Sequence, residues 1–137
     1  MTTNTLPKPR KCSIRSAKAK ACRLQNKLRD AIRADNPDLD PADVLSCPMG
    51  SSGADIILTP AAKRVHPYSY EAKAHANGFA KAYAAIDQAE RGDGLMPVAV
   101  VQHDRAKPLA ILHLDDLREL QRLARKAREA CPVSFLP

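Results

Sequence analysis

Ala54-Asp-Ile-Ile-Leu-Thr59, then Pro60-Ala-Ala-Lys-Arg-Val-His-Pro67, then Tyr68-Ser-Tyr-Glu-Ala-Lys-Ala74 is the stretch on which the fold turns. Its first segment reads as a short apolar strand with Asp55 at the head, its second as a proline-bearing connection, and its third as another strand. In that third segment alternate residues share a face, so Ser69, Glu71 and Lys73 lie on one side and Tyr68, Tyr70 and Ala72 on the other. Two carboxylates, Asp55 and Glu71, are thereby expected to meet one amine, Lys73. Half-buried carboxylates are costly unless paired or metal-bound, and oxygen ligands of this kind suit a hard divalent cation such as Mg²⁺. The plainer alternative is a strand-end cap at Asp55 with a cross-face ion pair between Glu71 and Lys73.

Upstream, Ile14, Ala17, Ala21, Leu24, Leu28 and Ile32 recur at three- and four-residue steps, which predicts an amphipathic helix from Ser13 to the stop at Asn36-Pro37. Gln25, four residues after Ala21 and three before Leu28, borders its buried face. Asp40-Pro41 is a cap with proline at the first helical position, predicting a short turn before Val44, Leu45 and Ser46 extend the chain. Pro48 to Gly53 reads as a tight loop.

Downstream, Phe79, Ala82, Tyr83, Ile86 and Ala89 define a second amphipathic helix ending near Gly92. Met96 to Val101 and Leu109 to Leu114 read as a buried antiparallel hairpin. A last helix, capped by Asp115 or Asp116, should bury Leu117, Leu120, Leu123 or Ala124, and Ala127. The expected class is α/β or α+β, with a central mixed sheet flanked by helices. Residues 1–12 read as a disordered basic arm, 13–130 as one domain, and 131–137 as an apolar tail.

The composition supports one globular domain: 137 residues, 45% apolar and 27% charged. No run approaches the length of a membrane span, and the N-terminal residues do not resemble a secretory signal, so the expected location is the cytoplasm. Cys12, Cys22, Cys47 and Cys131 have no metal-binding or disulfide-framework spacing and read as free thiols. His66, His75, His103 and His113 are too scattered to suggest a metal site. Tyr68 and Tyr70 read as core, since they face away from Glu71.

Charge narrows the partner. Residues 1–33 carry ten Lys and Arg against one acid, Asp30, while the remainder of the chain is net −2 out of a total of +7. A lopsided basic segment attracts phosphodiester backbones by counterion release. Nucleic acid is the expected partner, with a solvated helix face or an anionic membrane surface as the alternatives. Lys18, Lys20, Arg23 and Lys27 are the candidate phosphate contacts, and Ser51 and Ser52 of the glycine-bounded loop are further DNA-contact candidates.

The run Gly53-Ala-Asp55-Ile-Ile-Leu, the connection, and Tyr70-Glu71-Ala72-Lys73 together resemble the D…ExK signature of the PD-(D/E)xK nuclease superfamily. With Ala19 to Arg29, Pro48 to Asp55 and Gln88-Ala-Glu90 added, the likeness is to small phage-type Holliday-junction-resolvase-like endonucleases, over roughly residues 14–120. The resemblance implies a restriction-endonuclease-like core of αβββαβ order with a C-terminal helix. It implies Mg²⁺- or Mn²⁺-dependent cleavage of branched DNA by a homodimer, with no small-molecule cofactor, in the bacterial host cytoplasm if the chain is phage-encoded. It makes Asp55, Glu71 and the carbonyl of Ala72 metal ligands, Lys73 the catalytic lysine, and Gln88 a residue that positions water or phosphate. Gln25 stands where many members carry a metal-binding glutamate on the first helix; an amide contributes no charge there. Other readings are a nickase or exonuclease of the same superfamily, a non-catalytic DNA-binding protein that keeps the fold, or a protein-interaction factor.

Overall fold

The computed structural model describes residues 13–131. The basic arm expected at 1–12 and the tail beyond Cys131 lie outside the described residues. The class is mixed α/β: four helices and two small antiparallel sheets.

Helix α1 (Ile14–Asp35) starts where Ser13 accepts a hydrogen bond from the Ser16 N–H, and it ends at Asn36, ahead of Pro37. Asn36 is buried and its Nδ2 donates to the Ile32 carbonyl at 2.8 Å, satisfying one of the acceptors that a helix end leaves open. Arg33 donates to the carbonyls of Val44 and Pro41, tying the last turn of α1 to the next strand. A 3-10 turn (Pro41–Asp43), closed by a reciprocal capping box between Asp40 and Asp43, leads into β1 (Val44–Ser46).

Strand β1 pairs antiparallel with β2 (Ile56–Leu58) in the register Val44 to Leu58 and Ser46 to Ile56, and the Cys47 N–H to Asp55 carbonyl bond carries the pairing one step further. Leu28 and Ile32 of α1 pack on Val44, Ile56 and Ala62, with Leu39, Leu58, Tyr70 and Leu114 around them. This is the principal core.

The connection expected at 60–67 is instead largely helical. Helix α2 (Pro60–Val65) has Thr59 as N-cap and proline at its first position, and the Thr59 hydroxyl also bonds Asp43 at 2.6 Å. The strand expected at 68–74 does not form. Pro67 has no N–H to give to a ladder, and the N–H of Ala72 goes to the Asp55 side chain, which leaves the Asp55 N–H to Tyr70 carbonyl bond as the main-chain link to β2. The expected alternation survives without the ladder: Tyr68, Tyr70, Ala72 and Ala74 are half-buried while Ser69, Glu71 and Lys73 are exposed.

Helix α3 (Ala80–Ala89) buries Ile86 and packs on β3 (Ala99–Val101), which pairs antiparallel with β4 (Leu109–Ile111) as the hairpin reading required. The burial expected of that hairpin is mostly absent, with Val100 71% and Leu109 64% exposed. The strands thus form two separate two-stranded sheets in place of one central mixed sheet, because the segment that should have joined them carries no strand pairing.

Helix α4 (Leu114–Ala130) begins at His113, with Asp115 and Asp116 in its first turn and not at the cap. Its buried position is Gln121; of the stripe expected to be core, Leu117 and Ala124 are half-buried, whereas Leu120, Leu123 and Ala127 are exposed. Beside Leu114, which packs on the core, the helix docks through polar groups. Arg118 binds Asp35 through two nitrogens, Arg122 adds a third contact, and Arg125 reaches Asn36 and Asp38. These cations sit against the C-terminal end of α1, where the helix dipole also favours positive charge.

Candidate active site

Asp55, Glu71, Ala72 and Lys73 line one open cleft of about 290 Å³, shared with Ala21 and Gln25 of α1 and with Met49, Ala74 and His75. Four elements build it: the middle of α1, the 48–53 loop, the head of β2 and the extended 66–75 segment.

Asp55 is fixed on every side. Its N–H donates to the Tyr70 carbonyl at 3.2 Å, its carbonyl accepts from the Cys47 N–H at 2.8 Å and from Gln25 Nε2, and its carboxylate Oδ2 accepts from the Ala72 N–H. One carboxylate oxygen is therefore held by the main chain of the very segment that carries Glu71 and Lys73, leaving Oδ1 for a ligand.

Gln25 is a buried residue of the cleft wall. Its Nε2 donates to the carbonyls of both Cys47 and Asp55. Two carbonyl neighbours admit only the nitrogen end of the amide, which leaves Oε1 as an acceptor on its other side. A glutamate in this pose would set a carboxylate against two carbonyl oxygens.

Glu71 Oε1 and Lys73 Nζ form an ion pair, each side chain about 60% exposed (58% and 62%). The hydrogen bond and then the charge of Glu71 push the Lys73 ammonium above its ordinary pKa; slight desolvation opposes this and the Asp55 charge adds to it. Lys73 is thus a cation at neutral pH. Pairs this exposed contribute little to stability, so the fold does not depend on the two groups meeting.

Beneath the segment, Tyr70 is anchored in the core. Its hydroxyl accepts from Gln121 Nε2 at 2.9 Å and lies 2.8 Å from His66 Nε2, against which its ring stacks. His66 is itself buried, and its Nε2 finds a partner in the Tyr70 hydroxyl.

The remaining candidates divide. Gln88 is exposed on α3, which packs on β3, and it is not among the residues that line the cleft. Ser52 lines a neighbouring groove, and Ser51 is exposed in the loop, its N–H bonded to the Pro48 carbonyl. On α1, Lys18 lies one turn before Ala21 and so flanks the cleft side. Arg23 and Lys27 are each two residues from Gln25 and sit about 160° around the helix from it; Lys20 sits about 140° away. Those three belong to a different face of α1. His75 and Met49 were missed. Continuing the two-residue period from Glu71 and Lys73 reaches His75, whereas nothing in the sequence points to Met49.

As a cation site the lining residues offer two carboxylates, and the Ala72 carbonyl and the Gln25 Oε1 would be the further oxygen donors; among the described residues no three His, Cys, Asp or Glu cluster as metal ligands. Such a set does not suit zinc. It does fit Mg²⁺ or Mn²⁺, which bind through one or two carboxylates and keep waters and substrate phosphate for the rest. Among the described residues no helix is long and apolar enough to cross a membrane. Compared with known proteins, the chain matches no family model, no curated protein and no solved structure.

Proposed function

We propose that this chain is a metal-dependent endonuclease that hydrolyses phosphodiester bonds in branched DNA, with a restriction-endonuclease-like core of the PD-(D/E)xK type. The observation that carries the reading is the single cleft shared by Asp55, Glu71, Ala72, Lys73 and Gln25. Asp55 Oδ1, Glu71, the Ala72 carbonyl and Gln25 Oε1 would hold Mg²⁺ or Mn²⁺. When bound, the cation would supply an activated water and neutralise charge on the phosphate. The Ala72 N–H keeps Asp55 oriented, and the Lys73 ammonium would stabilise the charge that gathers on the phosphate oxygens in the transition state. Lys18, at the cleft side of α1, would contact the backbone of the incoming strand. Two symmetric cuts across a junction call for a twofold dimer.

A non-catalytic DNA-binding protein is the second reading. It is favoured by Gln25, whose amide already serves the fold, and by the Glu71–Lys73 ion pair, which already neutralises both groups.

The test is a panel of labelled four-way junction, flap, nicked, duplex and single-stranded DNAs with Mg²⁺ or with chelator. Wild type should cut at least one branched substrate only with the metal, and Asp55→Asn, Glu71→Gln or Lys73→Ala should each lower the rate by roughly 10²-fold or more. Full activity in the Asp55→Asn/Lys73→Ala double variant would remove the nuclease reading.

A further inference from the structure

A second and larger cavity, about 590 Å³, adjoins the Asp55 cleft, and its walls include Cys47, Ser52, Ile57, Lys63, Tyr68 and Ser69. The same two chain segments line both cavities. Ala54 faces the larger groove and Asp55, the next residue, the cleft; Tyr68 and Ser69 line the groove while Glu71 to Ala74 line the cleft. Cys47, which lines the groove, and Asp55, which lines the cleft, are joined by the Cys47 N–H to Asp55 carbonyl bond at 2.8 Å. Ser69 and Glu71 are two residues apart in extended chain, at most about 7 Å.

Resting on the nuclease reading above, we propose that this groove receives one unpaired nucleobase of the DNA whose phosphate lies at Asp55, Glu71 and Lys73. Its volume lies within the roughly 300–1,000 Å³ typical of small-ligand sites, and its walls are apolar with a few polar groups. A nucleobase needs such a lining: a flat apolar surface for its face and hydrogen-bonding groups for its edge. Tyr68 offers an aromatic ring, Ile57 an aliphatic wall, and Ser52 and Ser69 hydroxyls. Lys63, at the rim on α2, suits the adjoining phosphate. Ala54 and Asp55, and Ser69 and Glu71, are near neighbours in the chain that line groove and cleft respectively, so a phosphate in the cleft and its own base in the groove would be adjacent, and a base held in a stacked duplex could not enter. The substrate class is therefore DNA with an unpaired nucleotide beside the cut, as at a branch point, flap or single strand, and intact duplex bears the cost of extruding a base.

The test uses the full chain and a flapped DNA in which 2-aminopurine is walked through the unpaired strand, in Ca²⁺ so that binding is read without cleavage. Fluorescence should change several-fold at one position and not at its neighbours. Tyr68→Phe should keep the response and Tyr68→Ala should lose it. Ile57→Trp, at a residue 45% exposed, fills the groove without disturbing the core and should also lose it while DNA is still bound. An identical response in wild type, Tyr68→Ala and Ile57→Trp overturns the groove assignment, as does no response in wild type. Cleavage of the same DNAs in Mg²⁺ is scored separately. A Tyr68-dependent response without cleavage supports the groove and removes the nuclease reading, and cleavage without any such response does the reverse.

Discussion

The side-chain amide of Gln25, in the middle of α1, donates a hydrogen bond to the main-chain carbonyl of Asp55, thirty residues later, and another to Cys47 at 3.1 Å. A single buried nitrogen thus closes the wall of the cleft by joining the helix to both sides of the β1–β2 pair. Gln25 is a structural clamp at a position that demands a donor.

Gln25→Glu should therefore destabilise the protein by roughly 2–3 kcal/mol near neutral pH, since it removes two hydrogen bonds and presents a carboxylate to two carbonyl oxygens. Urea denaturation measures this. A Gln25→Glu variant as stable as wild type would mean the position is open to an acid and the clamp is dispensable.

Asp55 plays a structural and a chemical part that two variants separate. Asp55→Asn keeps an oxygen for the Ala72 N–H and should leave the denaturation midpoint nearly unchanged. Asp55→Ala orphans that N–H and should cost about 1–2 kcal/mol more than Asp55→Asn. Equal midpoints for the two variants would show that the Ala72 contact does not hold the 66–75 segment in place.

Gly78 packs against His75, a residue of the cleft. A Cβ at position 78 would lie 2.5 Å from the His75 Cβ, which is no flexible side-chain tip and has to move with its backbone. Gly78→Ala should cost about 1–3 kcal/mol and displace His75, read by thermal denaturation and by the His75 ring resonances. Unchanged stability and resonances would contradict the close approach.

Acid should act in two separate steps. Burial of the His66 ring depresses its pKa below the ordinary 6.5; the Asp35 charge opposes this, and the Arg128 and Arg125 charges add to it. Below about 6.5 the unfolded chain takes up a proton that the folded one refuses, so stability falls as pH drops from there through the folded value and is level above it. Burial of Asp35 disfavours its charge, but Arg118 and Arg122 outweigh burial and hold it below the ordinary 3.8. Its contribution is present above 3.8 and is lost as pH falls through the lower folded value. Denaturation followed against pH in wild type and His66→Gln should show the upper step vanish in the variant and the lower one remain. An upper step that persists in His66→Gln would remove the assignment.

Sequence signals are faithful in this chain where hydrogen bonding is local. Ser13 and Asn36 mark the ends of α1, Asp40-Pro41 caps its turn, and the two-residue period of 68–74 sorts exposed from half-buried residues although no strand is there. Thr59-Pro60 carries the signature of a helix start, a legible signal within a segment whose two prolines otherwise suggest a plain connection. What the sequence hides is set by long-range polar partners. An Asp55 side chain that takes the Ala72 N–H replaces a ladder, and Arg118, Gln121 and Arg125 reaching Asp35, Tyr70 and Asn36 hold α4 by its polar groups while Leu120 and Leu123 face water. The candidate site follows the same division: the local two-residue period puts Glu71 and Lys73 on one side, the long-range Ala72 N–H to Asp55 bond brings Asp55 to them, and Gln88, on a helix that packs on β3, is not among the residues of the cleft.

The most direct measurement is uptake of Mn²⁺ by the protein bound to branched DNA, followed as loss of the free-ion electron paramagnetic resonance signal, in wild type and in Asp55→Asn and Glu71→Gln. Saturable uptake by wild type that weakens at least tenfold in both variants is the expected result. Equal uptake by all three proteins, or none by wild type, would show that the two carboxylates do not hold a cation against the DNA backbone.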